Sequence, residues 1–256
     1  MHGPLALLIA SFVVGIMIGL TSMGGAALMT PFLILVVGVR PTFAVGTDLV
    51  YAAVAKWLGA WVHWKQGTVD MALVKRLATG SIPGGALGVL CIELLKRHGI
   101  FVDTFIRQGV GVTLALVSLV ILFRAIVGTE LPAHWEAAFE KHQKTATVAI
   151  GAFVGFTVGL TSIGSGSLMM PALALLYALP AAKLVGTDVF HAALLVSVAA
   201  FLHWGTGNVE WDLVPWLLAG SLPGVLIGSL LAPRLPQRVL RVGLGLTLLA
   251  TGAKLV

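Results

Sequence analysis

Apolar residues run along the chain in blocks of about 18 to 24, each closed by a short polar or glycine-rich stretch, and a block of that length crosses a bilayer as a helix. The pattern predicts helices over about Phe43–Trp64, Ala72–Leu95 and Val102–Val127, then over about Lys183–Trp204, Asp212–Ala232 and Pro236–Leu255. Two further blocks, Leu5–Val37 and Thr145–Tyr177, are too long for a single crossing. Each holds 33 residues and would reach about 50 Å as a straight helix, against a hydrocarbon core of about 30 Å. Glycines and hydroxyl residues interrupt both, as Thr21-Ser22-Met23-Gly24-Gly25 and Thr161-Ser162-Ile163-Gly164-Ser165, so each block must break or fold back.

These elements form two copies of one unit. GLTSMGGAALMTPFL from Gly19 recurs as GLTSIGSGSLMMPAL from Gly159, an offset of 140 positions. Held without a gap from Gly15–Gly88 to Gly155–Gly228, the offset gives 30 identities in 74 positions. Among them are Pro31/Pro171, Gly46-Thr47-Asp48/Gly186-Thr187-Asp188, His63-Trp64/His203-Trp204 and Gly80-Ser81-x-Pro83-Gly84/Gly220-Ser221-x-Pro223-Gly224. The first copy then runs six residues longer before Gln108–Gly111 meets Val242–Gly245. The expected organisation is an all-α polytopic protein: a first transmembrane repeat over 1–127, a polar linker over 128–144 with one interfacial turn of helix, and a second repeat over 145–256. Each repeat would carry a broken or hairpin first segment and three further transmembrane helices.

Composition narrows the class. Hydrophobic residues make up 58% of the chain and charged ones 10%, with a mean hydropathy of +1.02. A soluble domain carries roughly 25% charged residues, so an ordinary soluble protein is excluded. The net charge of +6 then reads as membrane topology rather than as a nucleic-acid footprint. If the long blocks cross once, basic residues divide evenly between the two sides. If they are hairpins, so that the repeats are inverted, Lys65, Lys75, Arg76, Arg124, Lys141, Lys144, Lys183, Arg234, Arg238 and Arg241 face Arg40, Lys96, Arg97, Arg107 and Lys254. The positive-inside rule favours that inverted arrangement, with the linker cytoplasmic and the 98–101 and 205–210 loops external. A single cysteine, Cys91, leaves no disulfide framework or CxxC pair. The first residues lack a basic stretch and an A-x-A cleavage site, and read as a retained membrane segment.

Interrupted segments at matching places in two repeats point to a transporter binding site. A short helix beginning near Ala26, and another near Ser167, would turn free N–H groups and a positive dipole end toward each break, a setting for an anion. Thr21, Ser22, Thr161, Ser162 and Ser165 add hydroxyls, and Gly24, Gly25 and Gly164 let backbone approach closely. The rival reading is that these small residues only permit close helix packing. Lys56 is the basic residue in the middle of a predicted span; its counterpart is Val196. It could meet an anion, or pair structurally with Asp48 or Glu93, or snorkel. Asp48 and Asp188 are candidates for coupling or gating, as groups able to hold a proton, or else helix-start acids that complement a dipole. His63 and His203 are further gating candidates; as His-Trp pairs they read more simply as interfacial anchors. The other histidines (His2, His98, His134, His142, His191) show no ligand spacing, and no triad order, P-loop or dinucleotide fingerprint is present. No catalytic residue, metal or cofactor is therefore assigned. An intramembrane enzyme using aspartate or histidine acid–base chemistry is the alternative class, and lacks a nucleophile or metal constellation; a permease for a different small anion is the other alternative.

The paired motifs resemble those of the TauE/SafE family of sulfite exporters. They are Met23-Gly24-Gly25 leading to Pro31, Ala44-Val45-Gly46-Thr47, a helix ending at His63, Gly67-Thr68-Val69-Asp70 and Gly80-Ser81-Ile82-Pro83-Gly84, with second copies from Ile163 to Gly224. The resemblance covers nearly the whole chain outside the linker. It implies a multi-pass protein of the bacterial inner membrane that moves sulfite, an organosulfonate or another small sulfur-containing anion. The expected partners are that solute and the lipid bilayer, with no nucleic acid; a coupling proton or sodium ion and a homodimer are compatible with the sequence.

Overall fold

The computed structural model describes residues 4–21, 26–99, 102–127, 143–177, 179–231 and 237–256. These residues form helices and short turns. In chain order the helices are α1 (Pro4–Thr21), α2 (Ala26–Phe32, continued by a π-helical turn over Leu33–Val37), α3 (Pro41–Lys65), α4 (Met71–Arg97), α5 (Val102–Val127), α6 (Gln143–Thr161), α7 (Met169–Leu176), α8 (Ala181–Gly205), α9 (Val214–Leu231) and α10 (Gln237–Leu255). The second long block is broken where glycine and hydroxyl residues interrupt it; in the first, α1 ends at Thr21 and α2 begins at Ala26, and the residues between them lie outside the described ones. α2 is short for a physical reason: Pro31 lies inside it and removes a backbone donor, and the chain beyond it loosens into the π turn before Gly38 ends it at φ +80°. The linker expected at 128–144 lies outside the described residues up to 142.

Two pairs of corresponding helices from the two halves of the chain meet one another in reverse direction. Glu210 donates its N–H to Thr47 Oγ1 and Asp70 donates its N–H to Thr187 Oγ1, both at 2.9 Å, so the start of α3 lies at the end of α8 and the converse. At the middle of this antiparallel pair Trp57 Nε1 donates to Ser197 Oγ, its own counterpart, at 2.9 Å. The α5–α10 pair is also antiparallel: Gly111 lies against Gly252, and Gly245 against Ile121 and Leu122. An approximate two-fold axis perpendicular to the helices therefore relates the described parts of the two units.

The remaining pairings exchange partners between units. α4 packs parallel to α6, and α1 parallel to α9. A methyl group added at Gly84 would sit 2.2 Å from the Ala152 carbonyl oxygen, and one at its counterpart Gly224 2.3 Å from that of Phe12. From the other side, added carbons at Gly155 and Gly15 would fall 2.1 and 2.4 Å from the Ser81 and Ser221 carbonyl oxygens. These glycines allow the near backbone-to-backbone contact that small residues give helices in lipid. The end of α7 returns to the start of α6, where Thr147 Oγ1 and Tyr177 Oη are 2.7 Å apart, so the α6–α7 segment is a hairpin.

Solvent preference is inverted. Leu5, Phe123, Phe153, Phe201 and Leu226 are each more than half exposed, while Ser11, Thr30, Thr47, Asp48, Ser81, Thr187 and His191 are buried. So large an apolar exterior marks a lipid-facing surface. Four segments among the described residues are long and apolar enough to span a bilayer: Met71–Arg97, Val102–Phe123, Gln143–Thr161 and Ala182–Gly205. This is a multi-pass membrane protein.

Candidate functional site

The second break is built from backbone that leaves the helical ladder. α6 ends at Thr161; Ser162 then takes φ +65° and Gly164 φ +122°, a region that side chains with a Cβ rarely adopt. Thr161 Oγ1 donates to the Thr157 carbonyl at 2.7 Å and accepts the Ile163 N–H at 3.2 Å, fixing the exit from the helix. The chain re-enters helical geometry when Leu168 and Met169 donate to the Gly164 carbonyl. Between these points the N–H groups of Gly164, Ser165, Gly166 and Ser167 have no partner among the described residues. Thr161, Ser162, Ser165 and Ser167 are all buried. Unpaired donors at membrane depth are costly unless a cavity, protein or solute meets them. Of the first break, Ser22, Gly24 and Gly25 lie outside the described residues, as does the side chain of Thr21.

Asp48 is the eighth residue of α3 and Asp188 the eighth of α8, and neither helix has an acid in its first turn. The helix-start reading of these aspartates is thereby overturned, because at that position the N–H groups are already bonded within the helix. Asp48 is fully buried. Its Oδ2 accepts from Thr30 Oγ1 at 2.5 Å and from Ser162 Oγ at 2.8 Å, so one carboxylate oxygen ties α2, α3 and the second break together. Asp188 is 6% exposed and accepts no hydrogen bond from a described residue. The position equivalent to Thr30 is Met170, which has no hydroxyl to offer. Oδ1 of each acid is buried without a partner.

Lys56 stands on α3 within electrostatic range of Asp188, Asp48 and His191. The α3–α8 register explains this order. Gly59 approaches Val189, and Trp57 makes an edge contact with the Phe190 ring at 5.8 Å, so the Lys56 stretch of α3 runs beside the Asp188 stretch of α8. Lys56 makes no direct ion pair with a described residue. Glu93, offered by the sequence as a partner for Lys56, instead pairs with Lys96 at 2.9 Å, and that lysine also donates to Asn208 Oδ1 at 2.5 Å.

Sequence reasoning passed over His191 as a scattered histidine. It is fully buried, one turn beyond Asp188, with Nε2 sharing a 2.6 Å hydrogen bond with Ser81 Oγ. The signal lay in the repeat: Tyr51 is its counterpart and lies near Ser221, the counterpart of Ser81. His203 is fully buried, its Nε2 3.0 Å from the Gly159 carbonyl, whereas its neighbour Trp204 is 56% exposed. Only the tryptophan of that pair occupies the lipid-facing surface. His63 is half-buried with Nδ1 3.0 Å from Thr68 Oγ1. Neither histidine touches Asp48 or Asp188.

Comparison with known proteins agrees with this architecture. The family model described as Sulfite exporter TauE/SafE matches residues 7–255. The Bacillus subtilis "Probable membrane transporter protein YjnA" is 42% identical over 252 residues, covering 98% of this chain and 99% of its own. A "Probable membrane transporter protein" of Xylella fastidiosa is 29% identical over 229 residues, covering 87% of this chain and 82% of its own. No solved structure matches. With the match running through both repeats and both breaks, the chain belongs to the TauE/SafE sulfite exporter family and is a membrane transporter.

Proposed function

We propose that the protein moves a small sulfur-containing anion, sulfite or an organosulfonate, across the bacterial inner membrane, taking it between the two hairpin breaks. The observation that carries this reading is the run of four backbone N–H groups at Gly164–Ser167 without a described partner, beside buried hydroxyls and a short helix N-terminus. Such donors match the several acceptor oxygens of a sulfite or sulfonate group. Lys56 supplies the interior positive charge that an anion needs on leaving water. Thr21, Ser22, Gly24, Gly25, Thr161, Ser162, Gly164 and Ser165 form the lining in this reading, and the family description supplies sulfur chemistry as the substrate class.

The repeats 1–127 and 145–256 then lie in the membrane in opposite orientations, joined by a cytoplasmic linker at 128–144. The antiparallel α3–α8 pair supports this, because the 66–70 and 206–210 turns fall at opposite ends of the molecule. Flux of sulfite and of an alkyl sulfonate into proteoliposomes tests the function. The parent should carry at least one of them, and Gly164→Val, strained at its positive φ, should lose most of that flux at normal yield. In a Cys91→Ser background, Gln66→Cys should label from the cytoplasmic side and Gly205→Cys from the external side. Labelling of both from one side would overturn the inverted orientation.

A further inference from the structure

The two repeat-related acids are placed differently, and the difference bears on what the interior binds besides an anion. Asp48 is saturated on one oxygen by two hydroxyls from other segments, which a carboxylate accepts in a fixed geometry. Asp188 has no described hydrogen-bond donor, Lys56 of the opposite helix within electrostatic range, and His191 one turn further along its own helix. Asp188 Oδ1 and His191 Nδ1 are both buried and both without a partner, and Asp188 is 6% exposed.

We propose that Asp188 is a proton-binding site, so that the protein takes up one proton with each anion it binds. The proposal rests on the anion reading of the breaks. With Asp188 ionised, its charge offsets that of Lys56. A proton from water adds to a carboxylate oxygen of Asp188, the acid becomes neutral, and the Lys56 ammonium is left to balance the incoming anion. When the anion leaves, the proton returns to water and Asp188 again offsets Lys56. At the start of α8, the turn from α3 to α4 brings Asp70, whose N–H donates to Thr187, and His63, bonded to the Thr68 that lies against Gly186. Along α8, α3 brings Asp48, Tyr51 and Lys56; α4 brings Ser81 to His191 and, at the far end near His203, Glu93 and Lys96. The described parts of α6 and α7 that pack on α8 bring no acidic or basic side chain. Asp48 is the poorer proton carrier because its Oδ2 is held by two hydroxyl donors that bond a carboxylate most strongly, a support that no described residue gives Asp188.

The test has two arms on purified full-length protein in lipid nanodiscs. Infrared difference spectra between high and low pH, without solute, should show a protonated-carboxyl band that is lost in Asp188→Asn and kept in Asp48→Asn. Its presence in Asp188→Asn, or its absence in the parent, would overturn the proton site. The second arm titrates methanesulfonate, whose own charge does not change with pH, in buffers of different ionisation enthalpy. The parent should take up about one proton per anion and bind about tenfold more tightly for each pH unit of decrease across the titration range. Asp188→Asn should bind with no proton uptake, and Asp48→Asn should retain it. Uptake persisting in Asp188→Asn rejects the linkage. A parent with the infrared band that binds neither methanesulfonate nor sulfite rejects the anion reading and the linkage, and leaves the proton site standing.

Discussion

Asp48 and Asp188 stand at equivalent places in two copies of one sequence unit, eight residues into helices of the same length, yet their surroundings differ. Around Asp48 the chain supplies Thr30 and Ser162; around Asp188 it supplies Met170 where the threonine would be, Lys56 from the opposite helix and His191 along its own. The divergence extends one turn further, to Tyr51 with Ser221 in one half and His191 with Ser81 in the other. The sequence unit thus repeats a buried acid, and the residues around it separate a structural knot from an acid without a described donor; Ser22, the counterpart of Ser162, lies outside the described residues. The glycine contacts show no such divergence: the α4–α6 and α1–α9 pairs approach within the same few tenths of an ångström at matching positions.

If that equivalence of packing is real, the largest effects should be the same in both halves. Gly84→Val and Gly224→Val each force side-chain carbons into a facing backbone carbonyl that cannot move aside, and each should cost at least the roughly 1–3 kcal/mol of an overpacked core. Both should lose most of their monodisperse yield in detergent; a normal yield for one alone would break the two-fold relation.

The acids should separate next. Asp48→Ala removes the shared acceptor of two buried hydroxyls and should lower stability by about 1–3 kcal/mol, with partial recovery in Asp48→Asn, which keeps a carbonyl oxygen. Asp188→Asn loses no described hydrogen bond and should change stability by less than about 1 kcal/mol. Thermal unfolding followed by tryptophan fluorescence compares them, and equal losses would erase the distinction between knot and free acid. The smallest effect belongs to the middle of the α3–α8 pair. Trp57→Phe removes the hydrogen bond to Ser197 while keeping an aromatic ring against Phe190, and should cost about 0.5–1 kcal/mol with flux retained.

Much of the architecture was legible before any coordinates. Helices predicted at Phe43–Trp64 and Val102–Val127 are observed at Pro41–Lys65 and Val102–Val127, because a bilayer demands long apolar runs and polar or glycine punctuation ends them. The second break was legible too, since 33 residues cannot cross once as a straight helix and glycine with hydroxyl residues cannot hold one together; the first lies outside the described residues. The aspartates misled for a local reason. They stand near the start of their apolar runs, yet counted from Phe43 and Lys183 each is the sixth residue, already past the first turn, and the observed starts at Pro41 and Ala181 make each the eighth.

What the sequence determined by itself is periodic or local: a membrane-spanning all-α chain, a self-similarity at an offset of 140, and the break that follows Thr161. The partners of each side chain were decided only by the tertiary structure. Thr30, Asp48 and Ser162 are 18 and 114 residues apart along the chain, and Ser81 and His191 are 110 apart. No periodicity encodes such distances. They arise when α4 settles parallel to α6, and α3 antiparallel to α8, because those are the arrangements in which glycine faces let backbones touch and buried hydroxyls find acceptors.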